Sequence, residues 1–302
     1  MSGKSIISLF LLNIVWGSFY VANKFSLNEL SPFFVGTTVR FLALIFLLLY
    51  IALRGNLKKL IVHRTAVPKL FIIGLLGFSL DITAFLGLQL STASNGSILL
   101  KSDVLFTNFI ALAVLKQRFT FKDWGLTGII LFGTFMVIDV DFANFQLQGF
   151  GDLLFLASAF CVALNGFVIK SVQNDERNNI EDSTVAFYNN LITFIIFSVL
   201  LAFTGQGIPR AVLSNNKILY FSLIYTGLMQ TMLYILYYYN LRRLPVWIVR
   251  IMLLMMPIFA SLISFFVLDE KLNGIQLAGM ATVLLGTMGI ILEHRKDGKK
   301  EE

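Results

Sequence analysis

The sequence has few of the residues from which soluble enzymes build their surfaces and sites. Charged residues are 14% of 302, whereas an average soluble domain has about 25%. A single cysteine, Cys161, excludes an intramolecular disulfide and so a disulfide-framed secreted domain. The two histidines, His63 and His294, lie outside the long apolar runs, which disfavours a histidine-based metal or nucleophilic site within them.

Apolar residues are abundant instead. They make up 57% of the chain, and 30 residues are phenylalanine. A soluble fold could not cover so much apolar surface with so few charges. The sequence divides into ten apolar runs of about 18 to 24 residues, each long enough to cross a bilayer as a helix. The predicted spans are 5–23, 33–53, 67–90, 95–115, 124–140, 150–170, 184–204, 217–240, 246–268 and 274–292.

Basic residues are distributed unevenly between the two sides of these spans. Seventeen of the 24 lysines and arginines fall on the side that carries the amino terminus, and four fall on the other. Cytoplasmic loops are enriched in Lys and Arg. The pattern predicts a multi-pass plasma or inner membrane protein with both termini cytoplasmic, and it accounts for the net charge of +7 without a nucleic-acid partner.

An internal repeat relates the two halves of the chain. Residues 131–138 (LFGTFMVI) resemble residues 284–291 (LLGTMGII), and the same displacement aligns 114–115 with 267–268. We therefore predict one five-helix repeat over residues 1–147 and a second over 148–302. Because five is odd, the second repeat has the opposite orientation in the membrane. Inverted repeats are typical of secondary transporters, whose substrate cavity lies between the halves.

The sequence resembles the EamA family of the drug/metabolite transporter superfamily. The matching motifs are Ile14-Val15-Trp16-Gly17-Ser18-Phe19 with Lys24, Arg40, Gly151-Asp152-Leu153-Leu154, Pro257-Ile258-Phe259, Leu268-Asp269-Glu270-Lys271-Leu272 and Gln276-Leu277-Ala278-Gly279. The first half departs from the pattern, with Val104 in place of a proline and Gln117 in place of a glutamate. The resemblance implies ten transmembrane helices in an all-α fold and the export of metabolites such as amino acids.

Five charged residues fall inside the spans: Arg40, Asp81, Lys101, Asp103 and Arg250. Placing a charged side chain in the membrane costs at least about 2.5 kcal/mol on insertion scales, so each of these residues is a candidate functional residue. One arrangement pairs Lys101 with Asp81, either as a structural ion pair or as part of a substrate site, and leaves Asp103 facing the cavity or another helix. A carboxylate in a low-dielectric cavity binds a proton more readily than one in water, so Asp81 and Asp103 are candidates for proton coupling.

Four residues are expected to have structural or gating roles: Arg40, Arg250, Pro257 and Glu270. Arg250 lies only about four residues from the end of its span, so its long side chain could instead reach the interface.

Uncharged polar residues form stripes at helical spacing. Asn13, Trp16 and Tyr20 share one face of the first span, and Asn165 has the related place in the sixth. Gln230, Tyr234 and Tyr237 share a face of the eighth span. Such stripes can bind a small polar or aromatic solute. For Tyr238 and Tyr239 the preferred interpretation is an interfacial aromatic belt.

Other classes of protein find little support. Gly149, Gly151 and Asp152 fit the Gly-x-Gly-Asp pattern of intramembrane aspartyl proteases, but no Pro-Ala-Leu partner motif is present. No phosphate-binding loop with Lys-Ser or Lys-Thr occurs, so an ATP-driven pump is unsupported. The sequence predicts a non-enzymatic, cofactor-free carrier of small zwitterions. The alternatives are a carrier of neutral or cationic compounds and a non-transporting scaffold or sensor.

Overall fold

The computed structural model describes residues 3–142, 146–147, 149–204, 212 and 216–297, and the side chains of 93 and 295–297 lie outside that description. Arg210, Lys299 and Lys300, which contribute to the uneven distribution of basic residues, also lie outside the described residues. Throughout the described chain the regular structure is helical.

Within the described residues, twelve α-helices make up the ten predicted spans. The first half contains α1 (Gly3–Glu29), α2 (Pro32–Leu53), α3 (Val67–Leu90), α4 (Ala93–Leu99), α5 (Ser102–Ala113) and α6 (Phe121–Val137). The second half contains α7 (Phe150–Gln173), α8 (Asp182–Phe203), α9 (Lys217–Arg243), α10 (Val246–Met252), α11 (Met256–Leu268) and α12 (Gly274–Asp297). Short 3-10 helices occupy Leu57–Leu60 and Leu253–Met255.

The helix lengths suit a bilayer. Within the described residues, nine segments of at least 18 residues are apolar enough to cross a membrane, with α4 and α5 taken as one segment and α10 and α11 as another. The tenth segment, α6, has 17 residues, at the lower limit for a span. Helices satisfy their own backbone hydrogen bonds, which is why long apolar segments adopt this form in hydrocarbon.

Two predicted spans are interrupted rather than continuous. The span predicted over 95–115 breaks between Leu99 and Ser102, and the one over 246–268 passes through a 3-10 turn before α11. Pro257 lies in the first turn of α11, where its missing N–H and fixed φ are tolerated at a helix start. The first break contains no proline. Both breaks fall at corresponding places in the two halves.

The two halves have nearly the same contacts between helices. Each of the largest contacts in the bundle has a counterpart in which both helices are replaced by those at the matching places of the other half, so that α1 corresponds to α7, α2 to α8 and so on. The α3–α7 contact corresponds to α9–α1, the α2–α9 contact to α8–α3, and the α1–α11 contact to α7–α5. The pairs α2–α8 and α6–α12 map onto themselves. This symmetry is what an inverted repeat of five spans produces, and it places the interior between the halves. The boundary at 147/148 stays a prediction.

The ends of the helices form two opposite faces of the bundle. The terminal face carries residue 3 and the connections 54–66, 114–120, 174–181 and 244–245. The opposite face carries the connections 30–31, 91–92 and 269–273, the end of α6, the start of α7, the end of α8 and the start of α9. Successive spans run antiparallel between these faces, because the connections are short.

Candidate functional site

A first charged cluster joins three helices of the interior. Arg40 on α2 donates from Nη2 to Oδ2 of Asp81 on α3 at 2.8 Å. Its Nη1 donates to the hydroxyl of Tyr234 on α9. The Arg40 and Asp81 side chains are 12% and 26% exposed, respectively. Asn190 on α8 fixes the backbone of α2 by donating to the carbonyl of Arg40 at 2.8 Å.

A second charged cluster has the same three residue types. Arg250 on α10 donates from Nη2 to the Tyr237 hydroxyl at 2.6 Å and to the Val162 carbonyl at 2.9 Å. Its Nη1 lies 3.6 Å from Oδ2 of Asp103 on α5, and this pair is 8% and 15% exposed. The clusters therefore draw on both halves of the chain. The alternative that Arg250 extends to the interface is wrong, because buried partners hold its guanidinium.

A tyrosine between the two clusters connects them. The Tyr238 ring packs edge-on against Tyr234 and Tyr237, with ring centroids 5.9 Å apart in each pair. Its hydroxyl accepts a hydrogen bond from Asn189 at 2.7 Å. Tyr238 is 1% exposed, so its assignment to an interfacial belt is wrong. Tyr239 is half-buried and lies beneath the guanidinium of Arg243.

Sequence reasoning missed Asn189 and Asn190, which hold this network from α8. Both are buried, and two adjacent amides inside an apolar span were the available signal. It also missed that neighbouring side chains approach the backbone of α7 closely at Gly166. A Cβ there would lie 2.9 Å from the Val246 side chain and 3.3 Å from the Tyr237 hydroxyl.

The arrangement that paired Lys101 with Asp81 is wrong. The Asp81 carboxylate is bound by Arg40 instead. Lys101 occupies the N-cap position of α5, at the break in its span. The angular spacing of a continuous helix therefore does not apply to Lys101 and Asp103. Its charge interacts with those of Asp103 and Arg250, in the second cluster.

Tyr20 indicates where the interior is open. Its side chain is 52% exposed, yet it interacts electrostatically with both Asp81 and Asp103. Tyr20 therefore keeps exposed surface within electrostatic range of both clusters. Trp16, one turn earlier on α1, places its ring edge-on to Tyr237 with centroids 6.0 Å apart. The α1 stripe thus borders the second cluster.

The remaining polar candidates are more enclosed. Asn13 is fully buried and donates to the Leu9 carbonyl of its own helix at 2.8 Å. Asn165 and Gln230 are 5% and 9% exposed. Buried amide oxygens of Asn13 and Asn165 have no hydrogen-bond partner among the described residues. Among the described residues, none of these three amides hydrogen-bonds the guanidinium of Arg40 or Arg250, whereas the side chain of Gln230 interacts with that of Tyr234 in the first cluster.

Two residues of the family motifs lie at the opposite face rather than in the interior. Glu270 is exposed and accepts from Lys24 at 2.9 Å, which joins the ends of α1 and α11. Asp152 accepts from Ser91 and, at 3.0 Å, from Asn95, which holds the start of α7 against α4. Within the described residues no group of three or more His, Cys, Asp or Glu could hold a metal.

Polar contacts between the halves close the terminal face. Glu181 accepts from Lys59 and, at 2.9 Å, from Asn56. Asp175 accepts from Lys69 at 3.0 Å and from Asn178 at 3.1 Å. These two hydrogen bonds hold the pKa of the Asp175 carboxyl below its usual range.

A second layer of contacts lies just beneath. Arg242 donates to Asp182 at 2.7 Å and to the Ile180 carbonyl at 2.7 Å. Trp247 and Gln173 are 4% and 5% exposed. Buried and hydrogen-bonded residues therefore lie towards the terminal face, while Tyr20 and Asp81 retain exposed surface further inside.

Comparisons with known proteins agree with this architecture. A probable amino-acid metabolite efflux pump of Salmonella typhimurium is 26% identical over 95% of this chain and 94% of its own length. The Escherichia coli pump of the same description is 24% identical with the same coverage. An uncharacterized transporter of Archaeoglobus fulgidus is 24% identical over 95% of this chain and 85% of its own.

Fold and family similarity extend over the whole chain. A solved crystal structure superimposes with a TM-score of 0.81, covering 97% of this chain and 98% of its own at 13% identity, which shows a shared fold. The EamA-like transporter family matches residues 3–139 and again residues 149–292. This chain therefore belongs to the EamA-like transporter family.

Proposed function

We propose that this protein exports amino acids or related zwitterionic metabolites by alternating access. The observation that carries the proposal is the pair of Arg–Asp–Tyr clusters in the membrane interior, one around Arg40 and one around Arg250. Together they present charges of both signs to a space that Tyr20 borders, and a zwitterion needs both. The relatives described as probable amino-acid metabolite efflux pumps support this choice of substrate.

The route across the membrane follows from the closed terminal face. We take that face to be cytoplasmic, as the excess of Lys and Arg predicts. The described conformation is then closed to the cytoplasm, and export requires a second conformation in which the Lys59–Glu181 and Lys69–Asp175 contacts separate. The two pseudo-equivalent halves provide the bodies that would move against each other.

Coupling to protons would use Asp81 or Asp103. Asp81 faces Arg40, with Tyr20 and Tyr234 in electrostatic range. Asp103 faces Arg250 and Lys101. Opening and closing changes these distances, and the proton affinity of each carboxylate changes with them.

The proposal is tested by flux in proteoliposomes. The purified protein would be assayed with a labelled amino-acid panel, with and without a pH gradient, beside empty liposomes. We expect protein-dependent flux that the gradient accelerates, and loss of that acceleration in Asp81→Asn or Asp103→Asn. Absence of flux for the whole panel would refute the amino-acid substrate. Flux of a neutral or cationic drug-like compound in its place would support that alternative class. An unchanged gradient effect in both variants would refute carboxylate coupling.

Alternating access has a separate test at the terminal face. In a Cys161→Ser background, Lys59→Cys with Glu181→Cys places thiols on contacting positions of the two halves. A short bifunctional thiol reagent should then block flux, and each single-cysteine variant serves as its control. Full flux after complete cross-linking would contradict separation of this contact during transport.

A further inference from the structure

The charges in the membrane interior do not balance. In the first cluster one guanidinium, Arg40, meets one carboxylate, Asp81, at normal hydrogen-bond distance, 2.8 Å. The second cluster contains two cations, Arg250 and Lys101, but a single carboxylate, Asp103. One positive charge is therefore uncompensated in the second cluster.

The geometry of the second cluster shows the same surplus. The closest Arg250–Asp103 approach is 3.6 Å, longer than an ordinary charge-assisted hydrogen bond of about 2.7–2.9 Å. Among the described residues, Lys101 has no carboxylate within 4.0 Å. Arg250 Nε is buried and finds no acceptor among those residues either. Asp103 thus has both Arg250 and Lys101 in electrostatic range, and its contact with Arg250 is longer than a hydrogen bond.

An uncompensated cation at membrane depth is costly unless it faces water or a partner of opposite charge. Lys101 is half-buried, so part of it is accessible. Arg40 offers no such surplus, because Asp81 and Tyr234 occupy its guanidinium. An added negative charge would therefore be stabilised most strongly at the second cluster.

We infer that Lys101, beside Arg250, binds a carboxylate of the transported substrate, and that this carboxylate is a requirement for recognition. The inference rests on the proposed transport function and assigns one end of the substrate within it. A carboxylate would supply the missing negative charge and the acceptors that the second cluster lacks. An amide or ester of the same compound would leave the surplus charge in place.

Binding to the purified full-length protein tests this assignment. Thermal unfolding in detergent would be followed with leucine, phenylalanine and threonine, with their amides, and with 4-methylpentanoate, which keeps the carboxylate but lacks the amine. We expect stabilisation by the carboxylates and none by the amides. Lys101→Gln should weaken the apparent carboxylate affinity about tenfold or more, and Lys101→Arg should retain most of it. The exposed Lys58→Gln is the matched control and should behave as wild type.

Stability without ligand separates binding from a structural role. Removing an uncompensated cation should leave Lys101→Gln at least as stable as wild type, whereas a structural ion pair would make it less stable. A destabilised Lys101→Gln whose carboxylate affinity is unchanged overturns the inference. So does equal stabilisation by acids and amides, or no stabilisation by any carboxylate.

The flux assay distinguishes this result from the proposed function. Flux of amides at the same rate as the acids would overturn the inference and leave amino-acid-derived transport in place. Lys101-dependent carboxylate binding without any flux would support a carboxylate site at Lys101 and count against the transport proposal.

Discussion

Replacing Arg40 should destabilise the protein strongly, because Asp81 would remain in the interior without its cation. The Arg40–Asp81 pair is 2.8 Å long, with side chains 12% and 26% exposed. Removing one partner of a buried pair costs about 3–5 kcal/mol. We expect Arg40→Met, which keeps much of the side-chain volume, to fall in the lower half of that range, because Asp81 retains some exposed surface.

A double-mutant cycle isolates the pair from other effects of the substitution. Asp81→Asn removes the orphaned charge, so Arg40→Met/Asp81→Asn should recover about 1–3 kcal/mol relative to Arg40→Met alone. The matched control is the Lys24–Glu270 pair, which has a similar length of 2.9 Å but is 59% and 48% exposed. An exposed pair contributes about 0–1 kcal/mol, so Lys24→Gln should have a small effect.

The assay is equilibrium unfolding in mixed detergent micelles of increasing SDS fraction, followed by circular dichroism. The reasoning would be refuted if Arg40→Met lost less than about 1 kcal/mol, or if the double variant showed no coupling. It would also be refuted if Lys24→Gln cost as much as Arg40→Met, since burial would then not decide the energy.

Further predictions concern helix packing and the terminal face. A Cβ at Gly17 would lie 2.7 Å from the backbone nitrogen of Ala260, so Gly17→Ala should separate α1 from α11 and cost about 1–3 kcal/mol in the same unfolding assay. Gly125 has no neighbour within 4 Å of such a Cβ, and Gly125→Ala should be neutral or slightly stabilising; equal losses would contradict the packing argument. The lowered pKa of Asp175 means that its contacts stabilise the protein above its ordinary pKa of about 3.9 and stop doing so as pH falls through the lowered value. The difference in thermal midpoint between wild type and Asp175→Asn should therefore be constant above about pH 5 and vanish in stronger acid; a difference that persists there would contradict the assignment.

The spans themselves could be predicted from the sequence, because the bilayer sets a length and backbone hydrogen bonding sets a helical form. Predicted ends were less accurate: the first span was expected over 5–23 and α1 covers Gly3–Glu29. Polar residues such as Ser26 continue the helix beyond the apolar run, because Ser26 bonds Ser222 of α9 at 2.6 Å. Hydropathy alone does not predict that such polar residues belong to the helix.

The charged residues of the interior were also identifiable individually, since each is rare at that depth. Their partners were not. Depth along the chain suggested Lys101 for Asp81, but the rotation of α2 presents Arg40 to it instead. A residue changes direction by about 100° at each step along a helix, and neighbouring helices decide which direction faces the interior.

The sequence by itself determined that this chain crosses the membrane about ten times, repeats itself once and resembles EamA transporters. These properties depend on composition, periodicity and order, all of which are local or additive along the chain. The tertiary structure decided that Arg40 and Arg250 each meet an aspartate and a tyrosine, that Tyr238 connects the two clusters and that Lys101 has no paired carboxylate among the described residues. Those facts depend on distances between helices far apart in sequence, and only packing fixes such distances.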